Sequence, residues 1–167
     1  MNNHPKVDFT VSKWNAVLNL LSLFCIICSF IYVFTIYKEL PDQIPIHFNA
    51  AGDPDNWGSK ATIILMPLIA LILYVPLYLL SKHPHVFNYP FKVTEGNARS
   101  IYPLAQLFMT VINFEMVVMF TYLSFTMAGN QLGEVFFPLI IVVPITTIGV
   151  FFGILYQKHR QHDQLDD

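Results

Sequence analysis

Charge is scarce in this chain. Only 12% of its 167 residues are Asp, Glu, Lys or Arg, about half of the roughly 25% that a soluble domain carries. Two cysteines are present, too few for the disulfide framework of a small secreted scaffold. The nine basic residues are scattered and form no stripe of the kind that nucleic-acid binders present, so nucleic acid is not an expected partner. A nucleophile elbow, a phosphate-binding glycine loop and a His-Glu zinc-protease helix are all missing. These absences exclude a soluble enzyme, and nothing supports catalysis or calls for a cofactor.

What is present is apolar and long. Four windows, 14–37, 61–81, 100–133 and 135–157, together hold a single charged side chain, Glu115. Each meets the roughly 20 residues that a helix needs to cross a bilayer. The expected fold is therefore an all-α integral membrane protein of four transmembrane helices, with lipid as its surroundings. The spans are placed at about 14–37, 61–81, 103–128 and 135–157, flanked by an N-terminus at 1–13 and a tail at 158–167. The first window is too long for a signal-peptide core of about 7–15 residues and reads as an anchor. Cys25 and Cys28 lie inside it as a CxxC. Thiolate chemistry is disfavoured in hydrocarbon, so both read as small hydrophobes. The prolines Pro67, Pro76, Pro103, Pro138 and Pro144 fall within spans, where neighbouring helices can satisfy the carbonyls they free.

Four spans put both termini on one side. Lys6, Lys13, Lys82, Lys92, Arg99, Lys158 and Arg160 share that side, against Lys38 and Lys60 on the other. The positive-inside rule then assigns both termini and the 82–99 loop to the cytoplasm. The outside receives a short link near 129–134 and a 23-residue loop, 38–60. A loop of that length in a hairpin of helices is often functional.

The loop is also specific in composition. In Ile44-Pro45-Ile46-His47-Phe48-Asn49 apolar and polar residues alternate, so an extended segment would carry His47 and Asn49 on one face. The run Gly52-Asp53-Pro54-Asp55-Asn56-Trp57-Gly58 is dense in turn formers, and Ser59 suits an N-cap for the second span. The expected cap has Phe48 and Trp57 dipping into the membrane interface. His47, Asp53 and Asp55 could bind a divalent cation. However, Trp57 occupies the position where a calcium loop needs an oxygen ligand. The favoured expectation is no metal, with Asp53 and Asp55 holding turns and His47 bonded to a loop carbonyl. Recognition of a ligand or partner is assigned to His47, Asn49, Asp53, Asp55, Trp57 and Lys60.

Glu115 is the intramembrane polar residue, near the middle of the third span. Ionised and unpaired there it would cost about 2.5–3.5 kcal/mol on insertion scales. It should be protonated or face a donor inside the bundle. Its helical neighbours Phe108, Ile112, Met119 and Tyr122 are apolar or aromatic, so the expected donor is His47, Lys60 or a tyrosine on another span.

The stretch Leu40-Pro41-Asp42-Gln43-Ile44-Pro45-Ile46-His47-Phe48-Asn49, continuing through Gly52-Asp53-Pro54-Asp55 and Trp57-Gly58-Ser59-Lys60, resembles a bacterial membrane family. It is similar to the domain of unknown function that opens the SdpI-type bacteriocin immunity proteins and also occurs as free-standing small membrane proteins. A second stretch, His83-Pro84-His85, Asn88-Tyr89-Pro90 and Thr94-Glu95-Gly96-Asn97, is similar to the cytoplasmic loop of the free-standing members. The resemblance covers about residues 15–130, and those relatives tend to lack a proline where Pro103 stands. It implies a polytopic protein of the bacterial cell membrane with an outward signature loop.

The leading expectation is a non-enzymatic membrane protein of the immunity or envelope-sensing type, its loop recognising an extracytoplasmic peptide, toxin or envelope component. The alternatives are a small proton-coupled transporter using Glu115 and a metal-dependent membrane enzyme using His47, Asp53 and Asp55. Oligomeric state stays open.

Overall fold

The computed structural model describes residues 4–129 and 136–166. The link expected near 129–134 therefore lies outside the described residues, apart from Gly129. The chain is a multi-pass membrane protein with four helices long and apolar enough to span a bilayer. They are α1 (Lys13–Ile36), α2 (Leu65–Ser81, its span completed by the preceding turn from Lys60), α3 (Glu95–Met127) and α4 (Phe136–Asp166). Between α1 and α2 stand two antiparallel strands, β1 (Gln43–Phe48) and β2 (Pro54–Ser59), followed by a 3-10 turn at Lys60–Ile64.

α3 is the central helix. It packs against α1, α2 and α4, whereas α1 and α2 meet only lightly. The α1 face of that packing is set by a heptad: Asn15, Ser22, Ile26, Ser29 and Val33 are buried. The opposite face, with Leu20, Phe24, Ile27, Ile31 and Phe34, is exposed and suits contact with acyl chains. In a bilayer apolar surface does not drive helices together, so small and polar residues mark the contact. Ser29 Oγ donates to Ser124 Oγ at 2.9 Å, and Thr110 Oγ1 donates to Asn15 Oδ1 at 2.8 Å.

Two helix ends explain where the long helices start and stop. α3 begins at Glu95, ahead of the start near Pro103 expected from hydropathy. Thr94 and Asn97 form a reciprocal capping box there, and Pro103 sits inside the helix. At the other end Gly129 adopts φ 100°, a left-handed conformation that closes helices at low cost only for glycine. α4 likewise runs past 157 and takes in most of the expected tail.

Three apolar clusters stack along the bundle. At the hairpin end Val33, Leu40, Ile44, Phe48, Ile63 and Met127 are buried together. Ile26, Ala70, Tyr74 and Val117 fill the middle. At the end that holds the termini, Tyr89, Val93, Ala98, Ile101, Tyr102, Ala105 and Leu155 close the core, with Val7 and Phe9 packed on it.

Candidate functional site

The hairpin is built around its turn. Asn49 Oδ1 accepts from the backbone N–H groups of Ala51 (2.9 Å) and Asp53 (3.0 Å), an arrangement that Asn offers more readily than most residues. Gly52 completes the reversal at φ 87°. Asn49 thus holds the turn and does not share a presenting face with His47, as strict alternation would have it. The alternation fails because the ladder is irregular between Pro45 and Phe48. Ile44 and Phe48 are buried while Ile46 is 37% exposed, as expected where a bulge re-aims side chains. Ile46 lies over Gly58, where a Cβ would come within 2.7 Å of Ile46 Cδ1. Phe48, beside the turn, is buried on the hairpin face that packs against the bundle, where an interfacial side chain was expected; Trp57, opposite Pro45 in register, is exposed.

The bulge brings His47 opposite Asn56, so that its Nδ1 meets Asp55 Oδ1 at 2.5 Å. His47 is therefore paired with a carboxylate rather than with a loop carbonyl, and both side chains are solvent-accessible, at 66% and 42%. An exposed pair of this kind contributes about 0–1 kcal/mol, too little to be the reason the hairpin folds. Asp53 stands apart from it, exposed and engaged through its backbone with Asn49. Among the described residues no group of three or more His, Cys, Asp or Glu is placed to hold a metal ion.

Lys60 braces the hairpin base. Its Nζ donates to the Leu40 carbonyl at 3.2 Å, pairs with Asp42 Oδ1 at 3.1 Å and lies 5.7 Å from the Tyr37 ring centre. Ser59 Oγ accepts from Ala61 N and caps the turn that leads into α2, as the sequence suggested. His47, Asp55 and Trp57 are thus presented, whereas Asn49 and Lys60 hold the scaffold.

Glu115 has a donor, but not one of those expected. Thr147 Oγ1, on α4, donates to Glu115 Oε1 at 2.6 Å; His47 and Lys60 are engaged at the hairpin. The second oxygen, Oε2, is buried with no hydrogen-bond partner. Leaving a buried acceptor unsatisfied costs about 1–3 kcal/mol. Glu115 lines a cavity of about 590 Å³ between α3 and α4.

Hydropathy windows hid a neutral polar seam. Tyr74 OH donates to Asn19 Oδ1 (3.3 Å), Asn113 Nδ2 to the Tyr74 carbonyl (3.2 Å), and Asn19 Nδ2 to the Asn15 carbonyl (2.6 Å). With the Thr110–Asn15 bond these tie α1, α2 and α3 together. The seven-residue spacing of Asn15, Ser22 and Ser29 was the available signal.

At the opposite end the second signature stretch turns inward. Tyr89 OH donates to the Pro84 carbonyl (2.9 Å), and Tyr102 OH to the Pro5 carbonyl (2.6 Å). Burial, then the neighbouring Tyr102, raises the Tyr89 phenol well above its ordinary range. His85 is held below the usual imidazole value by desolvation first and then by Lys6, His83 and His4.

Comparison with known proteins adds a partial domain match and little else. Residues 24–71 match a domain of unknown function, DUF1648, a stretch that runs from the middle of α1 through the hairpin to the first turns of α2. The match is shorter than the 15–130 span over which resemblance was expected. An uncharacterized protein of Archaeoglobus fulgidus is 25% identical over 150 residues, covering 79% of this chain and 82% of its own. No solved structure matches.

Proposed function

We propose that this chain is a non-enzymatic membrane protein whose hairpin recognises a peptide or envelope component outside the cell, as an immunity or envelope-sensing protein does. The observation that carries this is the exposed His47–Asp55 pair, held on a hairpin whose other face is buried against the bundle. A surface already ordered in its binding shape loses less freedom when a partner docks. Trp57, 52% exposed beside the pair, offers the large amphipathic ring that is enriched at binding hot spots. A two-stranded sheet also has unpaired edges on which an extended peptide can add a strand. The distribution of basic residues supports an outward hairpin and cytoplasmic termini, and the family resemblance supports the bacterial cell membrane as its location.

The test is a sensitive bacterial host expressing the chain under toxin challenge or envelope stress. His47→Ala and Asp55→Ala should leave the amount of protein in the membrane unchanged and abolish the protection that the wild type confers. Loss of protein in both variants would make the pair structural. Full protection by both would remove the hairpin as the site.

A further inference from the structure

The carboxyl group of Glu115 is satisfied on one side only. Thr147 donates to Oε1, while Oε2 is buried with no hydrogen-bond partner. The cavity that Glu115 lines, about 590 Å³, falls within the roughly 300–1,000 Å³ of small-molecule sites. Its other walls include Ile112, Met116, Met119, Tyr122, Leu139 and Val143, so they are almost wholly apolar. A water molecule lodged there would lack the two to four polar partners that hold buried water. An occupant that brings its own donor on an apolar body has no such difficulty.

We infer that the α3–α4 cavity binds a hydrophobic cation, its N–H donated to the Glu115 carboxylate and its apolar body packed against the methionines and Tyr122. Three features select this chemistry. A carboxylate and a cationic N–H form one of the stronger hydrogen bonds available to a protein, and the pair is neutral overall. Of the Tyr122 ring, the face not stacked on Phe136 attracts positive charge. Met116 and Met119 are flexible and polarisable, which lets one cavity accept aromatic bodies of different outline. Thr147 fixes the carboxyl group from the facing helix, so the acceptor is already aimed. The cavity's Tyr122 wall also packs against the apolar cluster beneath the hairpin, but no hairpin residue lines the cavity.

The probe is 9-aminoacridine, a fluorescent aromatic cation, added to the purified full-length protein in lipid nanodiscs. Acridine, of nearly the same shape and uncharged at mildly alkaline pH, is the competitor. Wild type should bind 9-aminoacridine saturably. Glu115→Gln should weaken binding by roughly thirtyfold or more, the low end for removing one partner of a buried charge pair. Val143→Trp, which fills the cavity and leaves Glu115 in place, should weaken it comparably and decides the matter if Glu115→Gln does not fold. Acridine should compete poorly. Absence of saturable binding to wild type, unchanged affinity in the folded variants, or equal competition by acridine would each overturn the inference. Equal competition would reduce the cavity to an apolar crevice for acyl chains.

Discussion

The two ends of the bundle both carry signature residues, and they use them in opposite ways. At the end holding the termini, Tyr89 and Tyr102 are buried and bonded to backbone carbonyls, and Thr94 and Asn97 close the start of α3. At the hairpin end the apolar signature residues Ile44 and Phe48 are buried, while His47, Asp55 and Trp57 are exposed. Polar groups that satisfy the backbone explain themselves by folding. Polar groups that leave the fold nearly indifferent need another reason to be there. That difference favours the hairpin end as the surface used on a partner.

The sharpest check on the contrast is to empty each core. Tyr102→Ala and Phe48→Ala should each destabilise the protein by about 3–5 kcal/mol, the usual cost of truncating a buried aromatic residue. Denaturation in a mild detergent would read both. A negligible loss for Phe48→Ala would mean that the hairpin is not anchored in the bundle, and the case for an ordered surface would fail. Next in size is the cap of α3, where Thr94→Ala should cost about 1 kcal/mol. Hydrogen exchange at the first turn of α3 would report the fraying locally.

At the hairpin, His47→Ala and Asp55→Ala should each change stability by no more than about 1 kcal/mol. A larger loss in the same denaturation measurement would erase the distinction between the two ends. The smallest effect concerns pH. The His85 imidazole is depressed in the folded state, so the unfolded chain takes up its proton first as pH falls below the ordinary histidine value of about 6.5. Stability from this group is present above that pH and declines below it. His85→Gln should flatten the fall in melting temperature with acidification, and an unchanged slope would show that His85 contributes nothing to it.

Much of the fold was legible because hydrocarbon enforces it. Four apolar runs of about 20 residues or more, with one charge among them, admit few structures other than helices, and all four are present. The hairpin was legible only as a turn-rich loop. Its bulge depends on pairing across the strands, which alternation in β1 alone does not reveal, so the burial of Phe48 and the turn role of Asn49 were misjudged. Glu115 stood out as a lone charge. Its donor Thr147 did not, because a threonine among isoleucines barely alters hydropathy. Asn15, Asn19 and Asn113 escaped for the same reason, since neutral amides carry no charge to count. α3 begins ahead of the span placed at about 103–128 because hydropathy weighs the apolar stretch and ignores the Thr94–Asn97 box ahead of it.

Recognition outside the cell requires that the hairpin end, and not the end holding the termini, face outward. With Cys25 and Cys28 replaced, Asn56→Cys in β2 and Asn88→Cys in the opposite loop each place one thiol at an exposed position. A membrane-impermeant thiol reagent applied to intact cells should label the Asn56→Cys protein and reach the Asn88→Cys protein only after permeabilisation. Labelling of Asn88→Cys in intact cells with Asn56→Cys protected would contradict the account, because the recognition surface would then face the cytoplasm.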